Sequence, residues 1–211
     1  MKTRKLHNIT VSEIGMGCMG FSHGYGELPT EDYAVEAIRK AHDFGCTFFD
    51  TAEVYGPNLS ETGHNERIVG RAIADFRDDV VLATKFFITA EEVKKDGSVL
   101  GTITRHLEAS LKRLNTNYAD LYYLHRISPD VPVEEIAEAM STLIGEEVIR
   151  GWGLSMVNAE ILGRANKICH VSAVQNIYSM MDRDYEKALG RALEKDFVIT
   201  LGSISGDIVL S

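Results

Sequence analysis

The chain has 211 residues, 45% apolar and 25% charged, enough for one well-buried core and unlike a disordered, collagen-like or disulfide-framework composition. A formal net charge of -9, with no run of Lys and Arg longer than two, excludes a phosphate-reading nucleic-acid surface. No apolar stretch approaches the roughly 18 residues that span a bilayer, so no membrane association is expected. The basic start MKTRK leads into LHNITVSEIG, which polar residues interrupt too often for a signal-peptide core. Cys18, Cys46 and Cys169 form no CxxC pair and sit among apolar neighbours, as thiols of a reducing compartment do. A cytoplasmic location is expected.

In chain order, a hairpin is expected over about Arg4 to Ser12, followed by the strand-like IGMGCMG and a helix over Glu31–Phe44, with Ala34, Ala37, Ile38 and Ala41 on one stripe. CTFFD then precedes a helix over Glu66–Asp75, VVLATKF a helix over Thr104–Leu114, and ADLYYLH a helix over Val133–Leu143. IRGWGLS precedes a helix near Asn158 to Lys167, VSAVQN a helix over Asp182–Glu194, and FVITLGS is the last strand. That gives seven strands and six intervening helices in a single domain spanning residues 1–211.

Gly15 to Gly20, GMGCMG, satisfies the G-x-G-x-x-G pattern of dinucleotide-binding Rossmann folds. That fingerprint works only where a helix opens on the glycines and turns its N-terminus to the pyrophosphate. Here the loop-like FSHGYGELP follows and the helix starts near Glu31, so the Rossmann reading is rejected. The glycines fit better as places where backbone approaches a ligand closely or packs into a crowded barrel rim.

Alternating strands and helices imply parallel strands joined by crossovers, either in an open doubly wound sheet or in a closed (β/α)8 barrel. Side chains alternate faces along a strand, so the last residue of each run shares a face with its i-2 and i-4 neighbours. Asp50 falls with Phe48 and Cys46, Lys85 with Ala83 and Val81, His125 with Tyr123 and Leu121, Ser155 with Gly153 and Gly151, and Gln175 with Ala173. Each face is apolar or small below and polar at its end. In a barrel these ends converge at the C-terminal mouth, where active sites of this architecture lie.

If Asp50, Tyr55, Lys85 and His125 meet there, the chemistry is specific. A tyrosine is a weak acid, but a nearby ammonium favours its phenolate. Lys85 supplies the ammonium, Asp50 its counterion, and His125 an N–H to align a carbonyl oxygen. The set suits protonation of an oxygen gaining negative charge as hydride reaches a carbonyl carbon, with Tyr55 as general acid. Each residue taken alone has a plainer use: a loop cap for Tyr55, snorkelling for Lys85, a satisfied core histidine for His125, an Asx turn for Asp50. A metal-dependent hydrolase is disfavoured, since the seven histidines are scattered without HxH or HExxH and a lysine at the rim repels a cation.

FFDTAEVYG, VVLATKF, ADLYYLH, IRGWGLS and AVQNIYS, in this order and spacing, resemble the aldo-keto reductases, NADP(H)-dependent carbonyl reductases on a (β/α)8 barrel. The resemblance implies Tyr55 as proton donor with Lys85, Asp50 and His125 in support. It further implies Ser155 and Gln175 on the nicotinamide carboxamide, Tyr178 as an aromatic against the ring, and Gly17 as a backbone contact to the cofactor. NADP is the implied cofactor, with NAD left open, and an aldehyde or ketone the implied small-molecule substrate. Many members carry Asn directly after the serine, where this chain has Met156.

The likeness runs from about Arg4 to at least Glu194 and fades from about Lys195. A (β/α)8 domain normally needs about 250 residues, so an incomplete barrel is expected, with seven of eight strands and without the last strand and helices. Strands one and seven would then be open edges, each short of about five ladder hydrogen bonds worth roughly 1 kcal/mol apiece. Such edges invite pairing with another copy into a homo-oligomer. By the resemblance, the groups that grip the adenosine 2'-phosphate and the substrate-shaping loop follow strand eight, and the sequence lacks them. The leading expectation is a shortened reductase. The rival is a catalytically weak or inactive barrel serving as a nucleotide-binding or interaction subunit, as channel-associated members of the same superfamily suggest.

Overall fold

The computed structural model describes residues 1–23, 27–58, 61–177, 183–184, 199–203 and 206–210, the last two stretches as backbone alone. Strands β1 (Thr3–Leu6) and β2 (Ile9–Ser12) form the expected antiparallel hairpin, turned at His7, which adopts a left-handed φ of 54°. Strands β3 (Met16–Gly17), β4 (Phe48–Asp50), β5 (Val81–Phe86), β6 (Ala119–Leu124), β7 (Ile149–Ser155), β8 (Ala173–Ile177) and β9 (Ile199–Ser203) lie side by side in chain order. Each is parallel to the next.

Helices α1 (Glu31–Asp43), α2 (His64–Ile73), α4 (Val99–Leu114), α5 (Val133–Gly145) and α6 (Ala159–Asn166) stand where the apolar periodicity places them, with ends shifted by a few residues. A further helix, α3 (Ala90–Asp96), has no counterpart in the sequence reading. It is held at its start by a capping box in which Thr89 and Glu92 exchange side-chain to backbone hydrogen bonds. Among the described residues a 3-10 turn at Met19–Phe21 continues GMGCMG and the next α-helix starts at Glu31, so the glycines do not open a helix. The helix expected over Asp182–Glu194 falls outside the described residues save for 183 and 184.

The alternation read from sequence separates two apolar layers. Phe48, Val81, Ala83, Leu121, Tyr123 and Ala173 pack together on the inner face, and Leu6, Ile9 and Val11 of the hairpin close that core from below. On the outer face, Phe49 and Leu82 meet α1 and α2, while Tyr122, Leu124, Trp152 and Leu154 meet α4 to α6. The glycines of β7 make room for this filling: a Cβ on Gly153 would lie 2.3 Å from the Tyr123 ring, and one on Gly151 would lie 2.6 Å from Ser172 Oγ. Cys46 departs from the inner-face expectation. It precedes β4 and packs in the α1–α2 layer, its one S–H within reach of the Phe48 carbonyl at 3.4 Å and the Ile14 carbonyl at 3.5 Å.

Among the described residues seven parallel strands are present, as the pattern predicts, but the β9 edge is not open. After it, β10 (Gly206–Leu210) runs back antiparallel along β9, and it comes into contact with β3 at the other end of the sheet order. The sheet therefore curls until its two ends approach. The run DIVL, with β-branched Ile208 and Val209, suits an added strand; the sequence reading passed over it because it sought a parallel strand after another helix. Among the described residues no helix is long and apolar enough to cross a membrane.

Candidate active site

Asp50 is the last residue of β4, Lys85 the penultimate residue of β5, Ser155 the last of β7, and Gln175 the middle of β8. His125 directly follows β6, its N–H donating to the Phe86 carbonyl at 2.8 Å. All five thus occur at or near the C-terminal ends of neighbouring parallel strands. Tyr55 arrives from the loop after β4, which folds back on itself: Tyr55 N donates to the Ala52 carbonyl at 3.2 Å, and Asn65 N to the Tyr55 carbonyl at 3.1 Å. Gly56 is required by this turn, since a Cβ there would lie 2.1 Å from the Glu61 carbonyl oxygen.

Lys85 is the hub. Its ammonium carries three donors, and it uses them on Asp50 Oδ1, on the Thr51 carbonyl at 2.9 Å and on Tyr55 Oη at 3.3 Å. Lys85 is 0% exposed and Asp50 2%, so the ion pair forms away from solvent while the half-buried Tyr55 faces outward from it. Asp50 Oδ2 accepts from Gln175 Nε2 at 3.2 Å. His125 stands edge-on to the Tyr55 ring, with centroids 5.6 Å apart and planes at 84°. Burial, then the charges of Lys85 and Arg126, push its pKa down to about 3, so the imidazole is neutral near pH 7.

Ser155 pairs in register with Gln175, and its Oγ accepts from Arg126 Nη1 at 3.2 Å. Gly17 pairs with Asp50, and the next residue donates its N–H to the Asp50 carbonyl at 2.8 Å, so the glycine sits beside the Asp50 backbone. Met156, where a family asparagine was expected, adopts a left-handed φ of 56° and donates its N–H to the Gln175 carbonyl at 2.9 Å. Asn176 fastens the same loop, exchanging two 3.1 Å hydrogen bonds with the Val157 backbone. Tyr178 lies outside the described residues.

The sequence reading brought out neither Arg126 nor the acid–imidazole cluster behind the Tyr55 loop, in which His106 lies between Glu53 at 2.7 Å and Glu92 at 3.2 Å. Glu53 stands inside the quoted FFDTAEVYG, but its partner is 53 residues away on α4, and nothing local joins them. Among the described residues no group of three His, Cys, Asp or Glu side chains could hold a metal ion. A cavity of about 690 Å³ opens at the opposite, N-terminal ends of the strands, lined by Ile9, Val81, Tyr118, Ile149 and Arg150. None of the residues that converge at the mouth lines it.

The strand order, the curled sheet and this cluster define a class, and comparison with known proteins supplies the family. Residues 13–203 match the Aldo/keto reductase family. A probable aldo-keto reductase 1 from Glycine max is 37% identical over 183 residues, 85% of this chain and 51% of that protein. The aldo-keto reductase yakc of Schizosaccharomyces pombe, whose name carries NADP(+), is 38% identical over 191 residues, 88% of this chain and 54% of its own length. A solved aldo/keto reductase from Klebsiella pneumoniae in complex with NADP and acetate superposes with a TM-score of 0.74 at 32% identity, covering 93% of this chain and 65% of that one. The chain belongs to the aldo/keto reductase family. It spans about half the length of the curated relatives it matches.

Proposed function

We propose that the chain is an NADP(H)-dependent reductase of aldehydes or ketones, with Tyr55 as the general acid. The observation that carries this is the 3.3 Å approach of a buried ammonium, itself paired with a carboxylate, to a phenol at the barrel mouth. Tyr55 donates its proton to the carbonyl oxygen as negative charge develops there, and Lys85 holds the resulting phenolate by its charge. Asp50 keeps Lys85 charged and aimed. His125, being neutral, donates one N–H to the same oxygen without competing as an acid.

The donor set at the mouth fits a nicotinamide. A carboxamide offers an acceptor oxygen and N–H donors: Gln175 Oε1 would accept from its amide, and the Ser155 hydroxyl, whose oxygen already accepts from Arg126, would donate to its oxygen. The bound nicotinamide supplies the hydride. NADP is favoured over NAD by the NADP complex of the Klebsiella pneumoniae structure and by the name of the Schizosaccharomyces pombe relative.

Steady-state oxidation of NADPH in the presence of 4-nitrobenzaldehyde tests the reading. Positioned general acids contribute about 10² to 10⁴ in rate, so Tyr55→Phe is expected to lose at least about a hundredfold in kcat. Equal rates in the two proteins would refute Tyr55 as the acid.

A further inference from the structure

Behind the Tyr55 loop lies a cavity of about 370 Å³ lined by Glu53, Val54, Glu92, Arg105, His106 and Arg113. Glu53, two residues before Tyr55, is buried and tied at two points to the C-terminal end of the lysine strand: its N–H donates to the Lys85 carbonyl at 3.1 Å, and its Oε1 accepts from Phe87 N at 2.9 Å. Its Oε2 meets His106 Nδ1 at 2.7 Å, and His106 Nε2 meets Glu92 Oε1 at 3.2 Å. A neutral imidazole has one N–H and can donate to only one carboxylate; donation to both requires the imidazolium.

The surrounding charges favour that form. Burial by itself lowers the His106 pKa, but the hydrogen bond to Glu53 and the charges of Glu53 and Glu92 outweigh it, and the balance is raised. The nearby cations are themselves paired: Arg105, whose charge opposes the imidazolium, shares Glu92 Oε1 with His106 at 3.3 Å and meets Asp96 at 2.8 Å, and Arg113 meets Glu66 at 2.5 Å.

We propose that His106 is a positioning residue for the proton donor: bridging Glu53 and Glu92 as an imidazolium, it fixes the Glu53 carboxylate, and through Glu53 the turn that carries Tyr55 beside the strand that carries Lys85. The inference rests on the reductase reading only for its kinetic consequence. When His106 loses its proton, one of the two bonds goes, Glu53 and Glu92 are no longer both held by the imidazole, and the turn that carries the phenol is fixed less firmly beside the ammonium. The fold itself remains, because Phe87 still holds the other Glu53 oxygen.

The test is an NMR titration of the cofactor-free chain labelled with 13Cζ-tyrosine and 13Cε1-histidine, the Tyr55 and His106 signals being those lost in Tyr55→Phe and His106→Gln. The Tyr55 signal is expected to show a step at the pH where His106 itself titrates, above the ordinary 6.5. That step should vanish in His106→Gln and move to lower pH, together with the His106 titration, in Glu92→Gln. A Tyr55 signal without the step, or a step that survives His106→Gln or stays fixed in Glu92→Gln, would overturn the proposal. If His106→Gln does not fold, Glu92→Gln decides. In turnover of NADPH and 4-nitrobenzaldehyde, His106→Gln should lower kcat about tenfold with KM changed less than about twofold, the pattern of a misplaced catalytic group. An unchanged kcat in an active enzyme counts against the proposal. A wild type without turnover counts against the reductase reading instead, and the NMR result still decides the role of His106.

Discussion

Lys85 and Asp50 bind each other out of solvent, and the consequence is an asymmetric dependence on each partner. Asp50→Asn leaves a fully buried ammonium with neutral acceptors only, and breaking a buried pair in this way costs about 3–5 kcal/mol. Urea unfolding should report a loss of that size; a change within about 0.5 kcal/mol would mean that the pair is open to water. His125 sets a pH dependence of definite sign. Its folded-state pKa of about 3 lies below the value of about 6.5 in an unfolded chain. The unfolded chain therefore takes up the proton first as acid is added. This contribution to stability is whole above about pH 6.5 and drains as pH falls toward 3. The unfolding free energy should fall between pH 7 and 4, and less steeply in His125→Asn. His106 acts in the opposite sense: its stabilisation is present below its unfolded value and is lost as pH rises through its raised one.

At the scale of elements, the barrel filling depends on β7 having no side chains at two inward positions. Gly153→Ala would drive a methyl group into the Tyr123 ring, and overpacking of this kind costs about 1–3 kcal/mol. Gly163→Ala in α6 meets nothing within 4 Å and should stabilise the helix by up to about 1 kcal/mol. Thermal unfolding of the two variants should shift in opposite directions; equal shifts would contradict the packing account. The inner and outer faces of β4 to β8 were legible in the sequence because a strand of period two displays its faces in order, and the polar ends of those strands carried the site with them. Helix α3 was not legible in that way, because it is only seven residues long and its apolar stripe is too short to show a period. The Glu53–His106 bond was beyond local reading, because what pairs a loop acid with one histidine on a distant helix is the packing of α4 beside β5.

For the molecule as a whole, the alternation of elements leaves an open sheet and a barrel possible, the in-phase polar strand ends and the resemblance favour the barrel, and the superposition on solved aldo-keto reductases agrees with it. The last strand was misjudged for a reason of topology: a tight antiparallel return needs no helix, whereas the pattern being followed demanded one. Since β10 covers the β9 edge, removing residues 206–211 should uncover a row of unpaired backbone groups and promote association. Light scattering of the shortened and intact chains at equal concentration should show the larger mass in the shortened one. A mass unchanged by the deletion would mean that β10 does not guard that edge.

The central claim, hydride delivery to a carbonyl carbon with the proton drawn from Tyr55, is met most directly by isotope transfer. The intact chain is supplied with NADPH deuterated at the transferring position and 4-nitrobenzaldehyde, and the alcohol product is analysed by mass spectrometry and NMR. One deuterium on the carbinol carbon is the expected result, with product formation collapsing in Tyr55→Phe. Alcohol without deuterium, or no alcohol from a folded chain saturated with NADPH, would contradict it.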